Sequence, residues 1–332
     1  MPHDFDIVCV GNAKIDTFLT LREASRSLRL IKETNELCIK FGEKIAVDKA
    51  EILLGGNAAN VSVGASRLGL NAALIAEIGK DEFAQKIINT LAKEKVNVSN
   101  VKQTEGQQSS FSTIINFKGE RTIFSEHVKR SHDFNFENIA TKWVYLTSLG
   151  DEWHKAYEKT LNLVKKTQCH LAFNPGTLQI QAGLKNIENV LLATDVLFVN
   201  KEEAAQISNF PPALAFGKSR WRAGKFLISN ENDENKDMKL LLESLQKLGP
   251  KIVVITDGEN GSYAIDEKEN IVKKEIIETE VVEKTGAGDA YSSGFLSALI
   301  NNKSIDDAMD WGTKNSASVI GKVGAQAGLM YA

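Results

Sequence analysis

Lys284-Thr285-Gly286-Ala287-Gly288-Asp289-Ala290 runs directly into the apolar segment Tyr291 to Ile300, and this junction decides the fold. Phe295, Leu296, Leu299 and Ile300 fall on one stripe at helical spacing, so the glycines before them form the turn that opens a helix. A helix start presents backbone N–H groups without intrahelical acceptors and the positive end of a dipole. Gly286 and Gly288, separated only by the small Ala287, carry no side chain that holds an anion away. The stretch reads as an anion cradle with Asp289 inside it. A carboxylate there is repelled by the ligand, and accepting a proton is the use that offsets this. Asp289 reads equally well as an ordinary first-turn acid favoured by the dipole, and the local sequence leaves both readings open.

Far upstream, Gly55-Gly56-Asn57-Ala58-Ala59-Asn60 opens a helix from Asn57 to Leu68 that Gly69 ends. Val61, Ala65 and Leu68 mark its buried side, while Asn57 and Asn60 share another face. Two carboxamides beside a glycine pair suit a polyhydroxylated ligand, because each both donates and accepts. Taken alone, such asparagines are more often helix caps. Thr285 to Ala290 and Gly55 to Asn60 resemble the C-terminal and N-terminal signatures of the ribokinase, or PfkB, family of carbohydrate and nucleoside kinases, in that family's order. The resemblance covers nearly the whole chain. It implies phosphoryl transfer from ATP to a hydroxyl of a small sugar, with Asp289 as general base and Gly286, Ala287 and Gly288 as the anion hole. It also implies Gly55, Gly56, Asn57 and Asn60 as substrate-binding residues. A nucleoside kinase of the same family, or a catalytically silent nucleotide- or sugar-binding relative, is the alternative.

The rest of the chain supplies the frame. Asp6-Ile7-Val8-Cys9-Val10, closed by Gly11, reads as a strand buried on both faces, delivering Asn12 and Asp16 past its carboxyl end. Ligands of open α/β sheets collect at that edge. The resemblance places Asp16 on substrate hydroxyls, and a solvated turn is the other reading. Leu74 to Ile78, Trp143 to Leu149, Cys169 to Phe173, Asp195 to Val199 and Ile252 to Thr256 are further short apolar runs, several separated by amphipathic segments. This alternation specifies a doubly wound, mostly parallel α/β sheet with helices on both faces.

Asn200 and Glu203 stand three apart at a strand-to-helix turn, where they can anchor a hydrated Mg2+ or cap the helix. The resembled family links such an Asn-x-x-Glu motif to magnesium and phosphate. Thr256, Gly258 and Gly261 are similar to the turn where that family seats its nucleotide, and a plain turn fits them equally. The resemblance also assigns Thr285 and Asn315 to the nucleotide side, although a packed C-terminal helix explains Asn315 as well. Glu283-Lys284 stand where the family carries Asp-Thr, which leaves a monovalent cation at the phosphates open, with the Lys284 charge as a substitute. Asn174-Pro175-Gly176-Thr177-Leu178-Gln179 lacks an arginine that many relatives carry, so whether the acceptor is phosphorylated stays open.

Residues 17–54 and 111–124 hold short mixed runs, including a hairpin about Lys118-Gly119. Too few to stand alone, they are expected to form a small β lid over the site and a homodimer clasp. Residues 1–16, 55–110 and 125–332 form the expected α/β core. Residues 209–237 look like an insertion of unassigned role. Its Gly217-Lys218-Ser219 is no P-loop, since Pro212 stands where the first glycine is required.

Composition narrows the classes further. At 332 residues, 42% hydrophobic and 25% charged, the chain resembles an ordinary globular protein. A net charge of −3 offers no general attraction to nucleic acid or an acidic membrane, so an anion must be held by a local site. Three scattered cysteines give neither a disulfide framework nor zinc spacing. With no signal-like start and no spanning apolar run, a cytoplasmic enzyme is the expectation.

Overall fold

The computed structural model describes residues 4–21, 27–31, 33–34, 36–118, 120–126, 128–208, 220–222, 225–227 and 231–332. The Gly119 position of the expected hairpin turn and the whole 209–219 stretch, with Gly217-Lys218-Ser219, lie outside the described residues.

Alternation along the apolar runs builds two cores. In β1 (Phe5–Val10), Ile7 and Cys9 pack on one face and Val8 and Val10 on the other, because successive side chains leave a strand in opposite directions. β10 (Thr141–Thr147), β11 (His170–Asn174), β12 (Val196–Asn200) and β15 (Ile252–Thr256) repeat this, sending Tyr145, Ala172, Phe198 and Val254 to the first core. Leu146, Phe173, Leu197 and Val253 go to the second. With β6 (Ala72–Gly79), β7 (Val101–Thr104), β16 (Ser262–Ile265) and β17 (Ile271–Lys274) they form a nine-stranded sheet ordered β17-β16-β15-β12-β11-β10-β1-β6-β7. Pairing is parallel from β7 to β15 and antiparallel through β16 and β17.

Helices α1 (Asn57–Arg67), α2 (Glu82–Lys93), α8 (Ala287–Ile300) and α9 (Ile305–Ile320) cover the first face. The second carries α3 (Trp153–Thr167), α4 (Thr177–Gln181), α5 (Leu184–Leu192), α6 (Lys201–Ile207) and α7 (Glu231–Gln246). Strand order turns back between β1 and β10, which opens a crevice at the carboxyl ends of the strands. The single stripe expected for α8 understates its burial: Asp289 to Ala298 is buried throughout, serines included. The backbone of α9 closes the remaining side, so that a Cβ on Gly294 would lie 2.6 Å from the Trp311 carbonyl oxygen.

A second sheet, ordered β5-β2-β8-β9, comprises β2 (Lys14–Leu21), β5 (Val47–Gly55), β8 (Phe111–Phe117) and β9 (Glu120–Ser125). β2 runs parallel to β8 and antiparallel to β5. β3 (Leu28–Ile31) and β4 (Glu36–Ile39) pair beside it, with Leu28 packed on Leu21 and Phe117. β13 (Arg220–Arg222) and β14 (Lys225–Leu227) form a separate antiparallel pair. β2 begins at Lys14, so Asp16 sits on a strand opposite Leu53 and not in a turn after β1. Among the described residues no helix is long and apolar enough to cross a membrane.

Candidate active site

The two glycine turns meet because α1 and α8 pack closely. A Cβ on Gly64 would lie 2.3 Å from Ser293 Oγ, so the helices approach with no side chain at that point of α1. Their first turns then lie side by side, and Asn60 Nδ2 donates to Asp289 Oδ2 at 2.8 Å. Gln326 Nε2 donates to Asn60 Oδ1 at 2.9 Å. The carboxamide expected on a substrate hydroxyl is therefore occupied by two protein partners, and it orients the aspartate.

Gly286 is the N-cap of α8 at φ 80°, a left-handed conformation that favours glycine. A Cβ there would lie 2.4 Å from the Ala325 Cβ. At Gly288, by contrast, no atom lies within 4 Å of a built Cβ, so the N–H groups opening α8 face an open cleft. Lys284 also lines this cleft but is ion-paired with Glu120 of β9, so its charge is already partly satisfied.

Asp289 lines the cleft at 9% exposure. Burial pushes its carboxyl up to about 7; the Asn60 hydrogen bond and Lys14 act against this, and the charges of Asp16 and Glu203 add to it. A first-turn acid at a helix start ordinarily gains from the dipole as an anion. Here desolvation wins, which leaves a carboxylate able to take up a proton near neutral pH.

Asp16 faces the same cleft, 3% exposed, with Oδ1 lacking a hydrogen-bond partner and Lys14 Nζ 3.9 Å away. Burial pushes its carboxyl up as well. An unpaired buried acceptor at a cleft wall invites a ligand hydroxyl. Gly55 does not line the cleft; it makes room, since a Cβ there would lie 1.9 Å from Asp16 Oδ2. Gly56, at φ 97°, backs onto Asn12, whose carbonyl oxygen would sit 2.5 Å from an added Cβ. Asn57 lies in the wall beside Asp16.

Asn200 and Glu203 form a capping box. Asn200 Oδ1 accepts from the Glu203 N–H at 2.8 Å, and Glu203 Oε2 accepts from the Asn200 N–H at 2.9 Å. Glu203 faces the cleft, and burial pushes its carboxyl up. Among the described residues no group of three His, Cys, Asp or Glu is placed to hold a metal ion. One partly used carboxylate and one amide fit a hydrated Mg2+ held through water, and do not fit a dehydrated ion.

The central cleft measures ≈ 730 Å³ and opens into two others. One, ≈ 810 Å³, lies between the Thr256–Gly261 turn and α9, with Ala287 and Gly288 shared and Ile276, Ile277 and Ala317 as apolar wall. Thr285 lines the central cleft, with its hydroxyl buried and unpaired. Asn315 reaches neither cavity. Its Nδ2 donates to Ala290 O at 2.8 Å and Ser293 Oγ at 3.0 Å, while Oδ1 accepts from Met330 N at 2.9 Å. The residue expected on the nucleotide side thus packs inside the fold, and Thr313, Ser316, Ala317 and Ile320 are the α9 residues that line the cavity. The other cavity, ≈ 310 Å³, adjoins Asn12, Lys14, Asn57 and Asn174.

Sequence reasoning missed Lys14 and Gln326. Lys14 donates to Ser112 Oγ at 2.8 Å beside Asp16, and lines both the central and the smaller cleft. Neither residue belongs to a local pattern; only tertiary contact reveals them.

A family model described as pfkB family carbohydrate kinase matches residues 7–330. The chain is similar to an ATP-dependent 6-phosphofructokinase of Thermoanaerobacterium thermosaccharolyticum, 23% identical, over 86% of this chain and 84% of that protein. It is similar to a ribokinase of Haemophilus influenzae, 26% identical, over 87% and 88% respectively. The crystal structure of a Methanocaldococcus jannaschii nucleoside kinase superposes with TM-score 0.73 at 21% identity, covering 99% of this chain and 96% of that one.

Proposed function

The chain belongs to the pfkB carbohydrate kinase family, and we propose that it transfers the terminal phosphoryl group of ATP to a hydroxyl of a small sugar, with Asp289 as the general base. One observation carries this reading. A buried carboxyl with a pKa pushed to about 7 stands at the mouth of a helix-start anion cradle, where the cavities for two ligands meet. The relatives named as ribokinase and 6-phosphofructokinase support a sugar as acceptor, and the nucleoside kinase keeps a nucleoside as the second reading.

The base of ATP would occupy the larger cavity against α9, its phosphates running over the Thr256–Gly258 turn to the start of α8. The acceptor would lie in the central cleft, aligned by Asp16 and Asn57. As its oxygen attacks the γ-phosphorus, its proton passes to the Asp289 carboxylate, the new O–P bond forms, and the bond to ADP breaks with the electron pair leaving on ADP. The N–H groups of Gly286, Ala287 and Gly288 would stabilise charge on the transferring group. Mg2+, held through water by Asn200 and Glu203, would supply positive charge to the phosphates. A monovalent cation near Glu283 belongs to the same proposal. Glu283 is fully buried, with one carboxylate oxygen unpaired.

A thermal-shift screen of sugars and nucleosides with ATP and magnesium tests the reading, because a ligand that binds the folded state raises its apparent stability. Two kinetic results follow. First, kcat/KM should fall about tenfold per pH unit below a break near pH 7, since the base must be ionised before it can accept a proton. A break near the ordinary carboxylate value would contradict the role of Asp289. Second, Glu203→Gln should raise the magnesium requirement roughly tenfold while leaving metal-free ATP affinity unchanged, because the fixed charge that orients the hydrated ion is lost. Identical magnesium titrations would leave Glu203 with its capping role alone.

The small sheet completes the proposal as a lid and dimer clasp. Ile114 and Ile123 of β8 and β9 line the central cleft, and every residue of β9 is exposed, Phe124 among them. Exposed edges of this kind are covered in stable proteins, and a two-fold pairing covers both copies at once. Light scattering should report a dimer; a monomer would remove the clasp.

A further inference from the structure

The smaller cavity holds polar groups that the proposed chemistry does not use. His132 lines it at 3% exposure, with neither ring nitrogen hydrogen-bonded. Gln179 lines it fully buried; its Nε2 donates to Leu149 O at 2.9 Å, but its Oε1 has no partner. Unpaired buried polar atoms are uncommon because each costs the desolvation of a group that water would have satisfied. His132 also adopts a left-handed backbone conformation, φ 46°, which is uncommon for a residue with a Cβ. Its backbone N–H donates to Glu77 Oε2 at 2.9 Å, which anchors the loop.

Among the described residues, charge in the cavity is balanced. Lys14 and Arg130 contribute two positive groups, Glu77 and Glu203 two negative ones. The Arg130 fork is already engaged, Nη1 with Gln107 Oε1 at 2.9 Å and Nη2 with the Gln108 carbonyl. Glu77 is paired with Lys102 at 3.3 Å. An added phosphate or carboxylate would meet two carboxylates and no free guanidinium fork. Burial pulls the His132 pKa down, so the ring is neutral and offers one donor and one acceptor. Gln179 Oε1 adds a second acceptor. Donors and acceptors mixed in this way complement hydroxyl groups, each of which is both.

The geometry points to His132 and Gln179 as the pair that holds the far end of the acceptor, selecting an uncharged, hydroxyl-rich sugar or polyol over a phosphorylated or carboxylated sugar and over a nucleoside. Lys14, Asn57, Asn174 and Glu203 line both this cavity and the central cleft, so a molecule with one hydroxyl at Asp289 extends directly into it. At ≈ 310 Å³, and with no aromatic face beyond the imidazole among the described residues, the cavity suits a polyol chain better than a stacked nucleobase. This inference rests on the kinase reading for the identity of the central cleft.

The test uses the full chain with a panel of free pentoses, hexoses and their alditols, the corresponding sugar phosphates, aldonic acids and nucleosides. Each is measured by thermal shift without ATP and by ADP release with ATP and magnesium. An uncharged sugar or polyol should bind best. His132→Phe keeps a planar ring without nitrogens, and should weaken that ligand ~10- to 100-fold and raise its KM to match, with the KM for ATP unchanged. Gln179→Leu should do the same independently, and His132→Gln should restore part of the loss. Preferred binding of a charged sugar or a nucleoside, no binding across the panel, or wild-type affinity in both His132→Phe and Gln179→Leu would overturn the assignment. So would a crystal structure in which only ordered water bridges His132 and Gln179 while the acceptor lies elsewhere. A polyol bound through His132 without phosphoryl transfer contradicts the kinase reading and leaves this inference standing, whereas efficient transfer to a nucleoside does the reverse.

Discussion

Asp289→Asn should lower kcat at least ~100-fold while ATP binds as tightly as before, because a positioned base typically contributes ~100- to 10,000-fold and removing a negative charge beside a phosphate cannot weaken its binding electrostatically. The substitution preserves shape, and the amide oxygen can still accept from Asn60 Nδ2, so the fold is retained. A variant with more than about a tenth of wild-type kcat would show that another group takes the proton. The same variant carries a stability signature. Asp289 is held at about 7 in the folded chain against an ordinary carboxyl value of 3.8, so the native state binds this proton more tightly than the unfolded state. Its contribution to stability is then full below the unfolded pKa and is lost as pH rises towards 7. Asp289→Asn should remove that part of the slope between about pH 4 and 7, and an unchanged slope would place the carboxyl in a solvated environment.

Gly286→Ala should cost kcat ~100-fold or more, a loss comparable to removing a donor from an anion hole. Two effects combine. At φ 80° any side chain strains the backbone, and the added Cβ would press to 2.4 Å from Ala325. Relief requires the start of α8 to move, and with it the N–H groups and Asp289. Gly288→Ala provides the contrast, because its Cβ would enter open space at an ordinary helical position. It should leave thermal stability nearly unchanged and act only where a phosphate must approach. Equal activity losses accompanied by equal losses of Tm in the two variants would show that the glycines serve folding alone.

The glycine turns were legible because what they require is local: a helix start free of side chains can be read from a few consecutive residues. The doubly wound sheet was legible for the same reason, since buried parallel strands are short apolar runs separated by helices. What the sequence hid depends on contact across the fold. Asn60 meets Gln326, 266 positions away, and no spacing announces that its carboxamide is already used. Asn315 lies on a helix in which Thr313 and Ser316 line the cavity, and one residue of rotation decides which side chain looks inward. The same one-residue choice places Ile114 over the cleft and turns Ile115 towards Leu28 and Phe117. Asn200 and Glu203 fit two patterns at once, because a capping box and a water-mediated ion site use the same spacing. His132 sits in irregular chain between β9 and β10, where neither period nor motif draws attention to it.

The proposed reaction moves a phosphoryl group from ATP to a sugar hydroxyl through Asp289. Mass spectrometry of a sugar and polyol pool after incubation with ATP and magnesium tests it most directly. One acceptor should become heavier by a single phosphoryl group, formed in step with ADP by the wild-type protein and not by Asp289→Asn. ATP bound without any acceptor modified, or equal product from both proteins, would contradict it.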